Sequence, residues 1–209
     1  MNSRKEVSEA VIRRLPKYLR CLGELKSKKV LRISSKELSE RMSLTASQIR
    51  QDLSCFGEFG QQGYGYNIEY LNESISKILG TYNGFKVIVI GAGNMGTAIT
   101  KSDRIKNRGF NVVGIFDNNK DLIGTTIGNI KIQHIDKVKE FIKSNKIDIA
   151  ALTIPKEQTE KIAEKMVTYG IKGLWNFSAI ELKLPEHIAI ENVHLSDSIM
   201  VLGYKINNE

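Results

Sequence analysis

The stretch FKVIVIGAGNMG, residues 85–96, constrains the chain more than any other. Its uninterrupted apolar run, Val87 to Ile90, suits a strand buried on both faces of a parallel sheet. Gly91, Gly93 and Gly96 follow at the spacing of a phosphate-binding turn, with Ala92, Asn94 and Met95 between them. In such a turn the first glycine permits the tight bend. The second lets a diphosphate approach the backbone, and the third lets helix and strand pack closely. The next strand, NVVGIFD, ends on Phe116 and Asp117 with Asn118 beyond, and Asp117 lies 21 residues past Gly96. A carboxylate there accepts hydrogen bonds from an adenosine ribose and repels a 2′-phosphate, so NAD(H) is expected over NADP(H). Strand and helix patterns then alternate: IKIQ, DKVKEFIKSN, IDIAALTIP, KEQTEKIAEKMVTYG and KGLWNFS. Thr153, Ile154 and Pro155, and then Asn176 and Phe177, close strands on the side where such sheets bind ligands. The expected fold of residues 81–195 is α/β, a Rossmann-type doubly wound parallel sheet.

The first 80 residues follow a different pattern. VIRRLPKYLRCLGEL carries Val11, Leu15, Leu19 and Leu22 at helical spacing, and Pro16 predicts a helix start nearby. Ser34 with Glu37 forms a capping box ahead of a short helix, and Thr45 with Gln48 forms a second one after the turn SLT. Two short capped helices joined by three residues predict a helix-turn-helix over about 18–57. In its second helix Ala46, Ile49, Leu53 and Phe56 form the core face, which leaves Ser47, Arg50, Gln51 and Ser54 to meet base edges and phosphates. GEFGQQGYGYNI interleaves glycines with aromatics and predicts a hairpin wing, with Gln61 and Gln62 at its tip and Tyr64 beside them. The candidate DNA contacts are therefore Ser34, Ser35 and Lys36 at the first helix, Ala46, Ser47, Arg50, Gln51 and Ser54 at the second, and the three wing residues. IEYLNESISKILG predicts a connecting helix. SDSIMVLGYKI, within 196–209, predicts a terminal apolar helix that packs on a partner.

Charge supports this division. Residues 1–56 hold 13 Lys/Arg against 6 Asp/Glu, and the remainder holds 18 against 17. A basic first quarter on a near-neutral body predicts a polyanion partner. No apolar run approaches the ~20 residues of a membrane span, and the charged N-terminus lacks a signal core, so a cytoplasmic protein is expected. Cys21 and Cys55 read as reduced and structural, and no metal site is expected. His134, His187 and His194 have no visible catalytic partner, and little chain remains for a substrate domain. Three functions fit these parts: a DNA-binding protein carrying an NAD(H)-binding domain, the same architecture with an acyl-CoA-type or adenine ligand, and a small NAD-dependent oxidoreductase. The first is expected, and the protein is expected not to be an enzyme.

Over nearly its full length the chain resembles the Rex family of redox-sensing repressors. RRLPKYLR, SSKELSER, RQDLSCFGEFG, GYGYNIEYL, GAGNMG, FDNN, TIP, GIKGLWNFS and LPEHIAIENV occur in the family's order and spacing. The resemblance implies a winged helix ahead of a Rossmann domain and a homodimer that swaps its C-terminal helix. It also implies an inverted-repeat operator released by NADH, with NAD+ competing. A family latch implies switch positions at Arg14, Ser102, His194 and Leu195. Here Ser102 stands for a common Tyr, and His194 and Leu195 stand for an Asp and an aromatic, which leaves Arg14 without its matching carboxylate. Gln51, and Gln61 with Gln62, stand where basic residues are common. These departures predict an altered operator preference and a weaker or pH-dependent switch.

Overall fold

The computed structural model describes residues 7–57, 59–61 and 64–208. The chain divides into two compact units, Met1–Tyr82 and Asn83–Glu209.

The first unit opens with α1 (Glu9–Ser27), which buries Val11, Leu15, Tyr18, Leu19, Leu22 and Leu25. The expectation that this helix starts at Pro16 is corrected, because Pro16 lies inside it. Proline withholds an N–H from Ile12. Ile12 is exposed, so water can serve its carbonyl, and the buried stripe on both sides carries the helix through. Then follow β1 (Arg32–Ile33), α2 (Ser35–Met42), α3 (Ala46–Ser54), β2 (Gly60–Gln61), β3 (Gly65–Asn67) and α4 (Ile68–Ile78). The strands form an antiparallel sheet ordered β1-β3-β2. A helix-turn-helix followed by a small sheet is a winged helix. The capping box at Ser34 is present in both halves. At α3 only one half forms: Thr45 caps Gln48 N–H, while the Gln48 amide donates to Asp52 at 2.7 Å.

The second unit contains β4 (Phe85–Ile90), α5 (Asn94–Thr100), α6 (Asp103–Lys106), β5 (Phe110–Asp117), β6 (Thr126–Ile127) and β7 (Ile130–His134). A 3-10 turn (Ile135–Lys137) leads into α7 (Val138–Asn145), β8 (Ile149–Leu152), α8 (Lys156–Thr168), β9 (Gly173–Asn176), β10 (Ala189–Asn192) and α9 (Leu195–Asn207). The sheet runs β10-β9-β8-β4-β5-β7-β6, parallel except for the terminal β6–β7 pair. Apolar residues fill both of its faces, as a doubly wound parallel sheet requires. The chain therefore has the expected α/β class, a winged helix followed by a Rossmann-type sheet. The edge strand β10 has no counterpart in the alternation read from sequence, because its residues are mostly exposed and give no apolar run.

Among the described residues of the winged helix one buried group is charged. Asp52, on α3, is 0% exposed. Arg14 of α1 donates to both of its oxygens at 2.7 Å, Tyr18 of α1 donates at 3.0 Å, and Gln48 completes the set. Burial is the largest influence on this carboxyl and works to raise its pKa. The hydrogen bonds from Arg14, Gln48 and Tyr18 together outweigh it and hold the pKa below the ordinary value. The Tyr18 phenol is pushed upward by burial and by the adjacent Asp52 charge. This cluster ties α3 to α1 by directional bonds where apolar packing alone would let it slide.

A depressed folded-state pKa stabilises the protein above the unfolded value of about 3.9, and that contribution is lost as pH falls through the folded value. Asp52→Asn replaces an acceptor of four hydrogen bonds with a group that must itself donate. It should cost about 2–4 kcal/mol at pH 7, with the deficit closing as pH falls below about 4. Urea unfolding of the full chain at both pH values measures this, and equal stability at pH 7 would rule the cluster out as a tie.

Candidate functional site: a recognition surface and a glycine cradle

On the first unit, α3 turns Ser47, Arg50, Gln51 and Ser54 to solvent and half-buries Ala46. Its inner face carries Ile49, Asp52 and Leu53. The Arg50 guanidinium donates to Ser35 Oγ at 3.1 Å, which joins the outer face of α3 to the first turn of α2. Ser34 is committed to its cap: its Oγ accepts from Glu37 N–H at 3.1 Å, and its own N–H donates to Glu37 at 2.8 Å. Lys36 is exposed beside it. The Ser54 hydroxyl turns back to Gln51 carbonyl at 2.8 Å. Tyr66 of β3 packs against the core that holds Ile49 and Leu53 of α3, and burial raises its phenol pKa. Tyr64 is exposed at the start of the returning strand. Gln61 lies in β2 opposite Gly65, and Gln62 lies outside the described residues. Cys55, expected to be structural, is exposed at the end of α3. This surface offers cations and short polar donors on a rigid helix, which suits a negatively charged duplex.

On the second unit the glycine turn lies where β8 and β5 flank β4, the topological switch point of the sheet. Gly91 has φ +102°, and a Cβ there would meet Thr153 carbonyl at 2.7 Å. A Cβ on Gly96 would meet Gly91 carbonyl at 2.0 Å. The Thr153 hydroxyl donates at 3.0 Å and 2.9 Å toward the Ile90 and Gly91 carbonyls, which pins β8 to the turn. Gly93 is different, since a Cβ there would meet no heavy atom within 4 Å. Gly93 and Asn94 are exposed, and no side chain caps α5. The turn is therefore packed from behind and open in front, a cradle that fits the diphosphate of a dinucleotide. Asp117 accepts from Ala92 N–H at 2.6 Å and from Asn119 N–H at 2.8 Å. It therefore holds the turn, and a carboxylate retains further acceptor capacity.

The remaining predicted site residues separate into two groups. Ala92 lies within the turn and Met95 in the first turn of α5, Ile154 packs against Gly91, and Pro155 and Asn118 are exposed. Phe116 is buried against Phe141, so only its backbone reaches the turn, accepting from Gly91 N–H. Asn176, expected to face a ligand, is corrected to a structural tie. It is 0% exposed and donates to Ile180 carbonyl and Asn192, while its oxygen accepts from Ser178. Phe177 packs on Trp175 with ring centroids 4.6 Å apart. Of the switch positions, Ser102 precedes α6, and His194 and Leu195 open α9. Arg14 is paired within its own unit with Asp52, a carboxylate other than the latch partner whose place His194 takes. Sequence reading missed Asp52 itself, although its place three residues after Ile49 on the inner stripe marks it as buried.

The fold and these two surfaces define a winged-helix protein that carries a Rossmann-type nucleotide domain. Residues 6–54 match a family model described as putative DNA-binding protein N-terminus, and residues 83–180 match one described as CoA binding domain. All 209 residues align at 54% identity with the redox-sensing transcriptional repressor Rex of Caldanaerobacter subterraneus subsp. tengcongensis, covering 93% of that relative. A Rex of Clostridium botulinum is 52% identical over 207 residues, covering 99% of each chain. The chain belongs to the Rex family of redox-sensing transcriptional repressors. Among solved structures, RSP in complex with β-NAD+ and operator DNA is similar at TM-score 0.92 and 51% identity, over 97% of this chain and 93% of that one. RSP in complex with β-NADH is similar at TM-score 0.91 and 48% identity, over 98% of this chain and 96% of that one.

The glycines separate packing from binding. Gly96→Ala drives a methyl into a backbone carbonyl and should lower stability by about 3 kcal/mol. Gly93→Ala, at an ordinary φ of −71° and facing open space, should change stability by less than about 0.5 kcal/mol. It should nevertheless weaken NADH by roughly tenfold or more, because its methyl occupies the cradle. Thermal unfolding with an NADH titration checks both. Undiminished NADH affinity in Gly93→Ala would place the nucleotide elsewhere.

Proposed function

We infer that this chain is a DNA-binding transcriptional repressor that senses the NADH/NAD+ balance and leaves its operator when NADH binds. The observation that carries the reading is the similarity, over 97% of the chain, to a repressor solved with β-NAD+ and operator DNA. NADH and NAD+ act as regulatory ligands on the Gly91–Gly96 cradle and Asp117, and the protein is not an enzyme. The switch requires NADH to favour one arrangement of the protein over the DNA-binding one, since equal affinity for both shifts nothing. By linkage, operator DNA weakens NADH by the factor with which NADH weakens DNA. His194 and Leu195 at α9, and Ser102 at α6, alter the latch and hence the size of that factor. The family-model description of residues 83–180 favours CoA as a second ligand to test.

The protein works as a cytoplasmic homodimer on an inverted repeat. In support, the side chains of Ile199, Met200, Val201, Leu202, Tyr204 and Ile206 on α9 are exposed, an apolar surface that a monomer seldom keeps. Among the described residues no helix is long and apolar enough to cross a membrane.

A duplex selection with the purified protein should recover an inverted repeat without ligand and lose it with NADH, while CoA has no effect. Arg50→Ala should weaken that repeat by about 1–3 kcal/mol and relax its sequence preference. A repeat bound equally with and without NADH would overturn the sensing role. Truncation before Ser196 should convert the dimer to monomer in sedimentation, and a dimer that survives truncation would assign the interface to another surface.

A further inference from the structure

The wing is short of positive charge. From Gly57 to Asn67 the sequence contains Glu58 and neither Lys nor Arg. A wing that reaches a phosphate chain or a narrow minor groove needs a cation, because that is what such surfaces attract. The structure supplies one from a neighbouring strand. Arg32 of β1 lies opposite Asn67 of β3 in the strand register. Its guanidinium reaches along the sheet, donates to Tyr64 carbonyl at 3.4 Å and lies 5.7 Å from the Tyr64 ring centroid. Both residues are exposed. Gly65, next to Tyr64, packs on the chain entering α2: a Cβ there would meet Ile33 carbonyl at 2.7 Å and Ser34 nitrogen at 3.4 Å. The Arg32 guanidinium is thereby delivered to the end of the sheet that adjoins Ser34, Ser35 and the Arg50 that Ser35 holds. Among the described residues no carboxylate lies within ion-pair distance of it. Among the described residues it makes one side-chain hydrogen bond, to Tyr64, out of five N–H donors.

We propose that Arg32 is a DNA-contacting residue, held on Tyr64 to give the wing the cation that its own tip lacks. This rests on the operator-binding reading above. The aromatic ring and the carbonyl fix the guanidinium before DNA arrives, so little side-chain freedom remains to be lost on binding. Its free edge is a planar fork suited to a phosphate or to the floor of an A·T-rich minor groove.

The test uses the full chain and two fluorescent duplexes, the one recovered by selection and a scrambled duplex of equal length. Each is titrated by anisotropy from about 50 to about 250 mM KCl, over which phosphate contacts are read as a salt slope. Arg32→Gln should bind the selected duplex roughly tenfold or more weakly with an unchanged unfolding midpoint, and its salt slope should be shallower by about 1. Arg32→Lys restores the slope where the contact is a phosphate. It leaves affinity low where the planar fork reads the groove, and either result supports the contact. Arg32→Gln within twofold of the unmodified protein in both affinity and slope overturns the proposal, provided Arg50→Ala still loses specific binding. An unmodified protein that does not distinguish the two duplexes overturns the operator reading itself, and the role of Arg32 falls with it.

Discussion

The contact on which the nucleotide domain depends is the one between Gly96 and the Gly91 carbonyl. A methyl on Gly96 would lie 2.0 Å from that oxygen, so α5 can leave β4 at this angle only because the position has no side chain. That close approach sets where α5 begins, and the Thr153 hydroxyl bonds lock β8 to the same turn. Asp117, at the end of β5, fastens the turn from the other side through Ala92 N–H. The cradle is thus fixed by groups from three adjacent strands, and its open front is the consequence of a tightly packed back.

The winged helix is organised on a different principle. Its core is apolar around Leu15, Leu22, Leu38, Ile49, Leu53 and Leu71, and apolar contact by itself is non-directional. Asp52 adds direction. It draws Arg14, Tyr18 and Gln48 onto one carboxylate and so fixes the rotation of α3 about its axis. That rotation decides which side chains face outward, so the exposure of Ser47, Arg50, Gln51 and Ser54 depends on a group that touches no solvent. Arg14 and Tyr18 are then the residues through which α1 and α3 are coupled.

The glycine turn was legible in the sequence because its chemistry is local: glycine spacing, the apolar run before it and Asp117 after it are read within 33 residues, 85–117. The helix-turn-helix was legible for the same reason, through caps at Ser34 and Thr45 and a 3.6-residue apolar stripe. The readings that failed depended on distant partners. Pro16 marks a local helix start by its own preference, and burial of residues on both sides overrides it. Asn176 at a strand end resembles a ligand group until β10 arrives to occupy its amide. Arg32 carried no signal at all, since its use depends on a tyrosine 32 positions away.

By itself the sequence determined the two modules, their order and the chemistry of each, because helix caps, strand periodicity and glycine spacing act over a few residues of chain. Only the tertiary structure decided which polar groups remain free. Asp52, Asn176, Arg14 and Arg32 are similar in kind to residues at functional sites, and each was assigned its role by neighbours between 4 and 38 positions away. Hydrogen bonds and ion pairs form within about 3 Å in space, and distance along the chain does not determine which groups come that close.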